Sequence, residues 1–258
     1  ERDDSSNAWI AIMRGCDNFC SFCVVPYTRG RERSRDPQGI LREVEASVAT
    51  GHTQITLLGQ NVNSYRYEDW DFARLILAVA EVPGVRRVRF TSPHPKDFPA
   101  ALLDAVAGHP NICKHIHLPL QSGNDRILEL MNRTYSRKEY LDLAAHIRRR
   151  HPGIALTTDI ICGFCSETEE EFRRVGGEID AWLLANMVPT GKSPEIAAER
   201  LQAMGFSLAI YPTAGMTAAC AALKAAYEHI RAYGTTQGAP ISSIPMSELH
   251  DLVGFPEI

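Results

Sequence analysis

No apolar run in this chain approaches the roughly 20 residues that a membrane-spanning helix requires. No low-complexity tract interrupts its 258 residues, of which 45% are hydrophobic and 22% charged. The first residues, Glu1 to Asn7, show neither the basic start nor the apolar middle of a signal peptide. These absences predict a soluble cytoplasmic protein with no membrane partner. An even set of cysteines is missing as well. There are 7, which argues against a secreted disulfide scaffold. Positive charge is scarce toward the end of the chain. Residues 176–258 hold 4 Lys and Arg against 8 Asp and Glu, whereas residues 1–175 hold 23 of each.

What the chain does have is concentrated near its start. Cys16, Cys20 and Cys23 stand at C-x3-C-x2-C spacing, directly after the apolar run Ala8 to Met13. A short strand followed by three closely spaced thiols suits an iron–sulfur cluster wrapped by one loop. A four-iron cluster ordinarily takes four thiolates. Three leave one iron open to a substrate or cofactor. The competing readings are a zinc site and a disulfide. Zinc would want a fourth ligand at a matching spacing, and no nearby Cys or His supplies one. Arg29, Arg31, Arg33 and Arg35 flank the loop and are the best candidates to meet a polyanion. Two later clusters, Arg86, Arg87 and Arg89, then Arg148 to Arg150, read first as solvated surface.

Beyond the loop, strand and helix patterns alternate. Helices are predicted from Pro37 to about residue 50, over 70–81, near 97–108, and over 124–131 and 136–150. Strands are predicted over 54–59, 85–90, 115–120 and 154–161, and a short acidic helix near Ser166 with Glu167, Glu169, Glu170 and Glu171. From about Gly176 the pattern continues: a strand over 181–187, a helix over 194–204, a strand over 207–211 and an alanine-rich helix over about 214–233. This is an α/β chain of about seven β/α units, a parallel (β/α) barrel or partial TIM-like barrel. Its polar residues gather at the C-terminal ends of strands, where such barrels place their sites.

Several of those strand ends carry a resemblance. Arg14 to Arg35, Leu57 to Tyr65 (LLGQNVNSY), Phe90 to Pro95 (FTSPHP), His117 to Asp125 (HLPLQSGND), Met131-Asn132-Arg133 and Thr158 to Ile161 are similar to the radical S-adenosylmethionine (SAM) core of the tRNA methylthiotransferases. The stretch Val24 to Gly30 resembles the branch that acts on isopentenylated adenosine beside the anticodon. The resemblance covers about residues 8–172. It implies that Cys16, Cys20 and Cys23 hold a [4Fe-4S] cluster and that SAM binds its open iron. An electron from an external donor would then cleave SAM to a 5′-deoxyadenosyl radical, with tRNA as the family's substrate. It further implies that Phe22, Gln60, Asn61, Gln121 and Ser122 line the SAM site. Asn and Gln after strands also cap turns, and His94 and His117 read as structural.

The resemblance has gaps. A second-cluster domain, a tRNA-binding β-barrel and a sixth family strand have no match here, so complete methylthiolation is not expected; uncoupled SAM cleavage is. Cys113, Cys162, Cys165 and Cys220 do not replace the missing cysteines by spacing, and Cys165 stands where the family usually has proline. Residues from about 176 to 258 resemble instead the last two β/α units of the isocitrate lyase/phosphoenolpyruvate mutase superfamily, without its metal-binding aspartates. Two units are therefore expected, 1–175 and 176–258, packing as one hybrid barrel. An inert scaffold that at most binds a cluster is the main alternative to an enzyme. A lyase is the third reading.

Overall fold

The computed structural model describes residues 6–91, 93–161, 164, 182–188 and 195–254. The chain divides into two compact units, Glu1–Cys162 and Gly163–Ile258. The expected acidic helix, Cys162 and Cys165 lie outside the described residues.

Five parallel strands organise the first unit: β1 (Asn7–Ala11), β2 (Gln54–Leu58), β3 (Arg87–Phe90), β4 (His115–His117) and β5 (Ala155–Thr157). The first three form one sheet in the order β1-β2-β3, with Ile10 opposite Leu57 and Leu57 opposite Phe90. The step to β4 is a parallel bridge between Val88 and Ile112, and β4 pairs in parallel with β5. Parallel neighbours need long crossovers, which helices supply. These are α2 (Pro37–Ala49), α3 (Phe72–Glu81), α4 (Ala100–Gly108), α5 (Asp125–Leu130) and α6 (Arg137–Arg150), after a single-turn α1 (Val25–Arg29) inside the cysteine loop.

Alternation along the strands decides which sheet face is covered. Val88 and Phe90 are buried among the helices, while Arg87 and Arg89 are exposed on the other face. The core joins Ile10, Ile55 and Leu57 of the sheet to Ile40 and Val44 of α2, Leu75 and Ile76 of α3 and Leu102 of α4. Recurrence at three and four residues puts these side chains on one helix face.

Helix starts follow the sequence closely. Asp36 caps α2 by accepting from the Gln38 and Gly39 amides at 3.3 and 2.8 Å. Ser136 and Glu139 form a reciprocal capping box on α6. Replacing Ser136 with alanine is expected to cost about 1 kcal/mol. The check is the urea midpoint at unchanged slope; an unmoved midpoint would show that packing alone holds α6.

Most strands are shorter than expected: 85–90 is regular over Arg87–Phe90, 181–187 over Leu184–Asn186 and 207–211 over Leu208–Ile210. Two further runs, both in the first unit, are also shortened. The run 115–120 stops at His117, because Pro119 has no N–H for a ladder; its carbonyl instead accepts from Arg133 and Tyr135. The run 154–161 is regular only over Ala155–Thr157, with one further bridge, Gln121 to Ile160. Helix α4 starts at Ala100 rather than near 97, after a 3-10 turn at Pro95–Asp97.

In the second unit, β6 (Leu184–Asn186) and β7 (Leu208–Ile210) pair in parallel, with α7 (Ala198–Ala203) between them. The alanine-rich stretch is a 20-residue helix, α8 (Ala214–Tyr233), and α9 (Met246–Val253) follows. Neither α8 nor α9 contains a buried residue. Among the described residues no helix is long and apolar enough to cross a membrane.

Candidate metal centre

The cysteine loop leaves the sheet just past β1. A two-residue antiparallel ladder, Met13 to Ser34 and Arg14 to Arg33, closes its base. Directly above lies Gly15, at φ +81°, where a Cβ would sit 2.2 Å from the Arg31 carbonyl oxygen and 2.5 Å from that of Gly30. Only glycine fits there. The Gly15 amide donates to Gln60 Oε1 at 2.8 Å, and the Cys16 amide to the Gly30 carbonyl at 3.2 Å. Asp17 accepts from the Glu32 amide at 3.2 Å and pairs with Arg31 at 2.9 Å, lacing the two limbs together.

The tip of the loop is clamped to α5. Ser21 donates through its amide to the Met131 carbonyl at 3.1 Å and through Oγ to the Leu130 carbonyl at 2.8 Å. These carbonyls, at the end of α5, have no intrahelical donor. Asn132, at φ +56°, donates from Nδ2 to the Phe19 carbonyl at 3.0 Å. Asparagine is among the few residues that tolerate this left-handed backbone.

Cys20 is buried, Cys16 and Cys23 are half-buried, and all three are free thiols. Burial, the larger influence, pushes the Cys16 thiol above its ordinary pKa, against a lowering contact from Asn18. Arg133 Nη1 donates to Cys20 Sγ at 3.3 Å, and Asn18 donates to Cys16 Sγ through Nδ2, at 3.6 Å, and through its backbone amide. Among the described residues no three Cys, His, Asp or Glu side chains converge as they would on one metal ion. Three thiols on one loop are the ligand count of a four-iron cluster with one open iron, and one short of the four that a structural zinc site takes. The donor set fits such a cluster: free, partly buried thiols on one clamped loop.

Arg133 belongs to a small network behind the loop. Its Nε donates to Tyr135 Oη at 2.9 Å and its Nη2 to the Pro119 carbonyl at 3.1 Å. The Tyr135 hydroxyl lies 2.7 Å from the Leu120 carbonyl, to which it can donate, and burial pushes its pKa up to about 12.

The other expected site residues sit as follows. Phe22 is exposed on the loop. Gln60 turns toward Gly15 and supports the loop's base. Asn61 is 2% exposed, and its Oδ1 is buried without a hydrogen-bond partner. Gln121, at φ +72°, joins the strand ends: its amide donates to the Asp159 carbonyl at 2.9 Å. Ser122 is buried, and its Oγ accepts from the Asn124 amide at 3.2 Å. His94 is buried, its Nδ1 accepts from the Lys96 amide at 3.2 Å, and its Nε2 has no partner. Burial, followed by the nearby Arg133 and Lys96 charges, lowers its pKa to about 3, so it is neutral at pH 7. His117 Nε2 lies 3.2 Å from Asp159 Oδ2. That hydrogen bond raises the His117 pKa and lowers that of Asp159. Cys113 is half-buried beyond β3, and Cys220 is exposed on α8.

Sequence reasoning missed the loop's fasteners, Ser21, Asn132 and Arg133 with Tyr135. Met131-Asn132-Arg133 carried the resemblance but suggested no role. The available signal was an asparagine–arginine pair directly after a helix end.

Asn61 lies just past the C-terminal end of β2. A model of the radical SAM superfamily matches residues 10–176, well over half of the chain. The chain belongs to the radical SAM superfamily. That superfamily uses a [4Fe-4S] cluster and SAM, and its partial TIM-barrel architecture is the one described above.

Among its relatives is the tRNA-2-methylthio-N(6)-dimethylallyladenosine synthase of Bacteroides fragilis, 57% identical over 173 residues, or 65% of this chain and 38% of that protein. The protein of the same name from Prosthecochloris aestuarii is 54% identical over 66% of this chain and 39% of its own length. This chain therefore spans under two fifths of these relatives. Among solved structures, the radical SAM methyltransferase TsrM of Kitasatospora setae aligns with a TM-score of 0.55 at 19% identity, over 69% of this chain and 35% of TsrM. That likeness concerns the fold.

Proposed function

We propose that this radical SAM chain is the SAM-cleaving core of a methylthiotransferase acting on isopentenylated adenosine in tRNA. The observation that carries the reading is the clamped loop of three free thiols beside the strand ends. Cys16, Cys20 and Cys23 hold the [4Fe-4S] cluster, and Phe22, Asn61, Gln121 and Ser122 surround SAM, with Gln60 bracing the loop behind them. A bound cluster supplies the one-electron reduction of SAM. The residues of the chain anchor the thiolates, keep Cys20 away from water and offer Asn61 Oδ1 to a donor group of SAM. Relatives matched over 38% of their length bear the synthase name, so tRNA recognition and sulfur insertion are proposed only for the longer protein. The activity proposed for this chain is SAM cleavage with an external electron donor.

For residues 176–258 the proposal is two β/α units of separate, lyase-like ancestry. The parallel β6–β7 pair, with α7 between and α8 after, supports that reading.

The test is anaerobic reconstitution, an iron and sulfide count, and 5′-deoxyadenosine release from SAM with dithionite. About four irons per chain and SAM-dependent release are expected. A loaded protein with no release would favour the cluster-binding scaffold, and a chain that takes up no iron would end the proposal. Asn61→Ala should keep the iron and weaken SAM binding about tenfold, the equivalent of one lost hydrogen bond. Equilibrium binding of SAM to the oxidised, loaded protein measures it. An unchanged Kd would remove Asn61 from the site.

A further inference from the structure

We propose that Arg133 is a positioning residue for the Cys20 thiolate and that it makes the bound cluster easier to reduce. The inference rests on the reading above, that Cys16, Cys20 and Cys23 carry the cluster. Its own support is the guanidinium geometry. Nη1 donates to Cys20 Sγ at 3.3 Å, Nη2 to the Pro119 carbonyl at 3.1 Å and Nε to Tyr135 Oη at 2.9 Å. The guanidinium carbon also lies 5.0 Å from the Tyr135 ring centroid. A planar fork held on three edges has few ways to leave its sulfur.

The partners matter as much as the distances. Two are neutral oxygens and the third is the sulfur, with no carboxylate among them. The positive charge is therefore not cancelled by an acid in this network. Cys20 and Tyr135 are both buried, so the field at the sulfur is screened less than at the surface. Adding an electron to a cluster adds negative charge next to that cation. Hydrogen bonds to cluster sulfurs and local charge are both established controls of reduction potential. Arg133 stabilises the reduced form on both counts. The other side-chain donor to a sulfur, Asn18 Nδ2, is neutral and longer, at 3.6 Å from Cys16 Sγ, and should matter less.

The experiment is a mediated redox titration of the reconstituted 258-residue chain, following the EPR signal of the reduced cluster. The chains compared are wild type, Arg133→Gln, Arg133→Lys and Asn18→Ala. At the wild-type midpoint, Arg133→Gln should hold about tenfold less reduced cluster relative to oxidised, a midpoint about 59 mV lower for one electron. Arg133→Lys, which keeps the charge but loses the fork, should fall between, and Asn18→Ala should change the ratio by less than about twofold. A loaded Arg133→Gln protein with the wild-type midpoint would overturn the inference while leaving the proposed function standing. If Arg133→Gln takes up no cluster, Arg133→Lys decides: a lowered midpoint supports the inference and a wild-type midpoint overturns it. A wild-type chain without iron would instead overturn the proposed function, and the inference with it.

Discussion

Replacing Cys20 with serine is expected to leave a folded chain that releases at least about 100-fold less 5′-deoxyadenosine from SAM. Removing a residue that merely supports a metal ligand typically costs 10–100-fold, so losing a ligand itself should reach or exceed the upper end. Serine is the informative substitution because Cys20 is buried and accepts from Arg133. An alanine there would strand a guanidinium N–H and confuse lost chemistry with lost stability. The serine hydroxyl keeps an acceptor of similar size, but an alcohol does not replace a thiolate in holding iron. Iron content and SAM cleavage should fall together while the thermal midpoint stays near wild type. Retained cleavage would exclude Cys20 from the cluster.

Gly15→Ala should damage the same site without touching a thiol. The backbone at Gly15 has φ +81°, and a Cβ there would meet two main-chain oxygens, of Arg31 at 2.2 Å and of Gly30 at 2.5 Å. Neither is the free end of a side chain that could swing away. The dihedral strain alone is about 1–3 kcal/mol, and the collision adds to it. Relief requires the two limbs of the loop to separate, which breaks the hydrogen bond from the Cys16 amide to the Gly30 carbonyl. The thermal midpoint should fall by about 2–4 °C for each kcal/mol lost, and reconstituted iron should drop below half of wild type. A variant with wild-type iron and stability would show that the loop base is adaptable.

The parts legible in the sequence were local. Three thiols within eight positions advertise themselves, and so does the strand over 85–90, whose Arg87 and Arg89 read as solvated surface and are exposed. Helix α8 was legible over its full 20 residues because alanine-rich propensity needs no partner. The parts that were not legible depend on separation. Nothing local to Ser21 indicates that its hydroxyl will find the Leu130 carbonyl, 109 positions away. Arg133 carried part of the resemblance, but nothing local to it indicates that the fold will deliver Cys20 to it. The resemblance implies a place for Gln60 at the SAM site, and nothing in the sequence signals that its Oε1 accepts from the Gly15 amide. Sequence position fixes which strand end a residue occupies. It does not fix which way an amide turns.

The clamp between the cysteine loop and α5 also has a consequence in time. Cys20 and Arg133 are 113 positions apart. At ribosomal rates of about 5–20 residues per second, Cys20 exists for on the order of ten seconds before Arg133 has been synthesised. During that interval the loop has neither its charged partner nor its anchor on Leu130 and Met131. Its thiols are then at their most open, both to an oxidant and to whatever delivers iron.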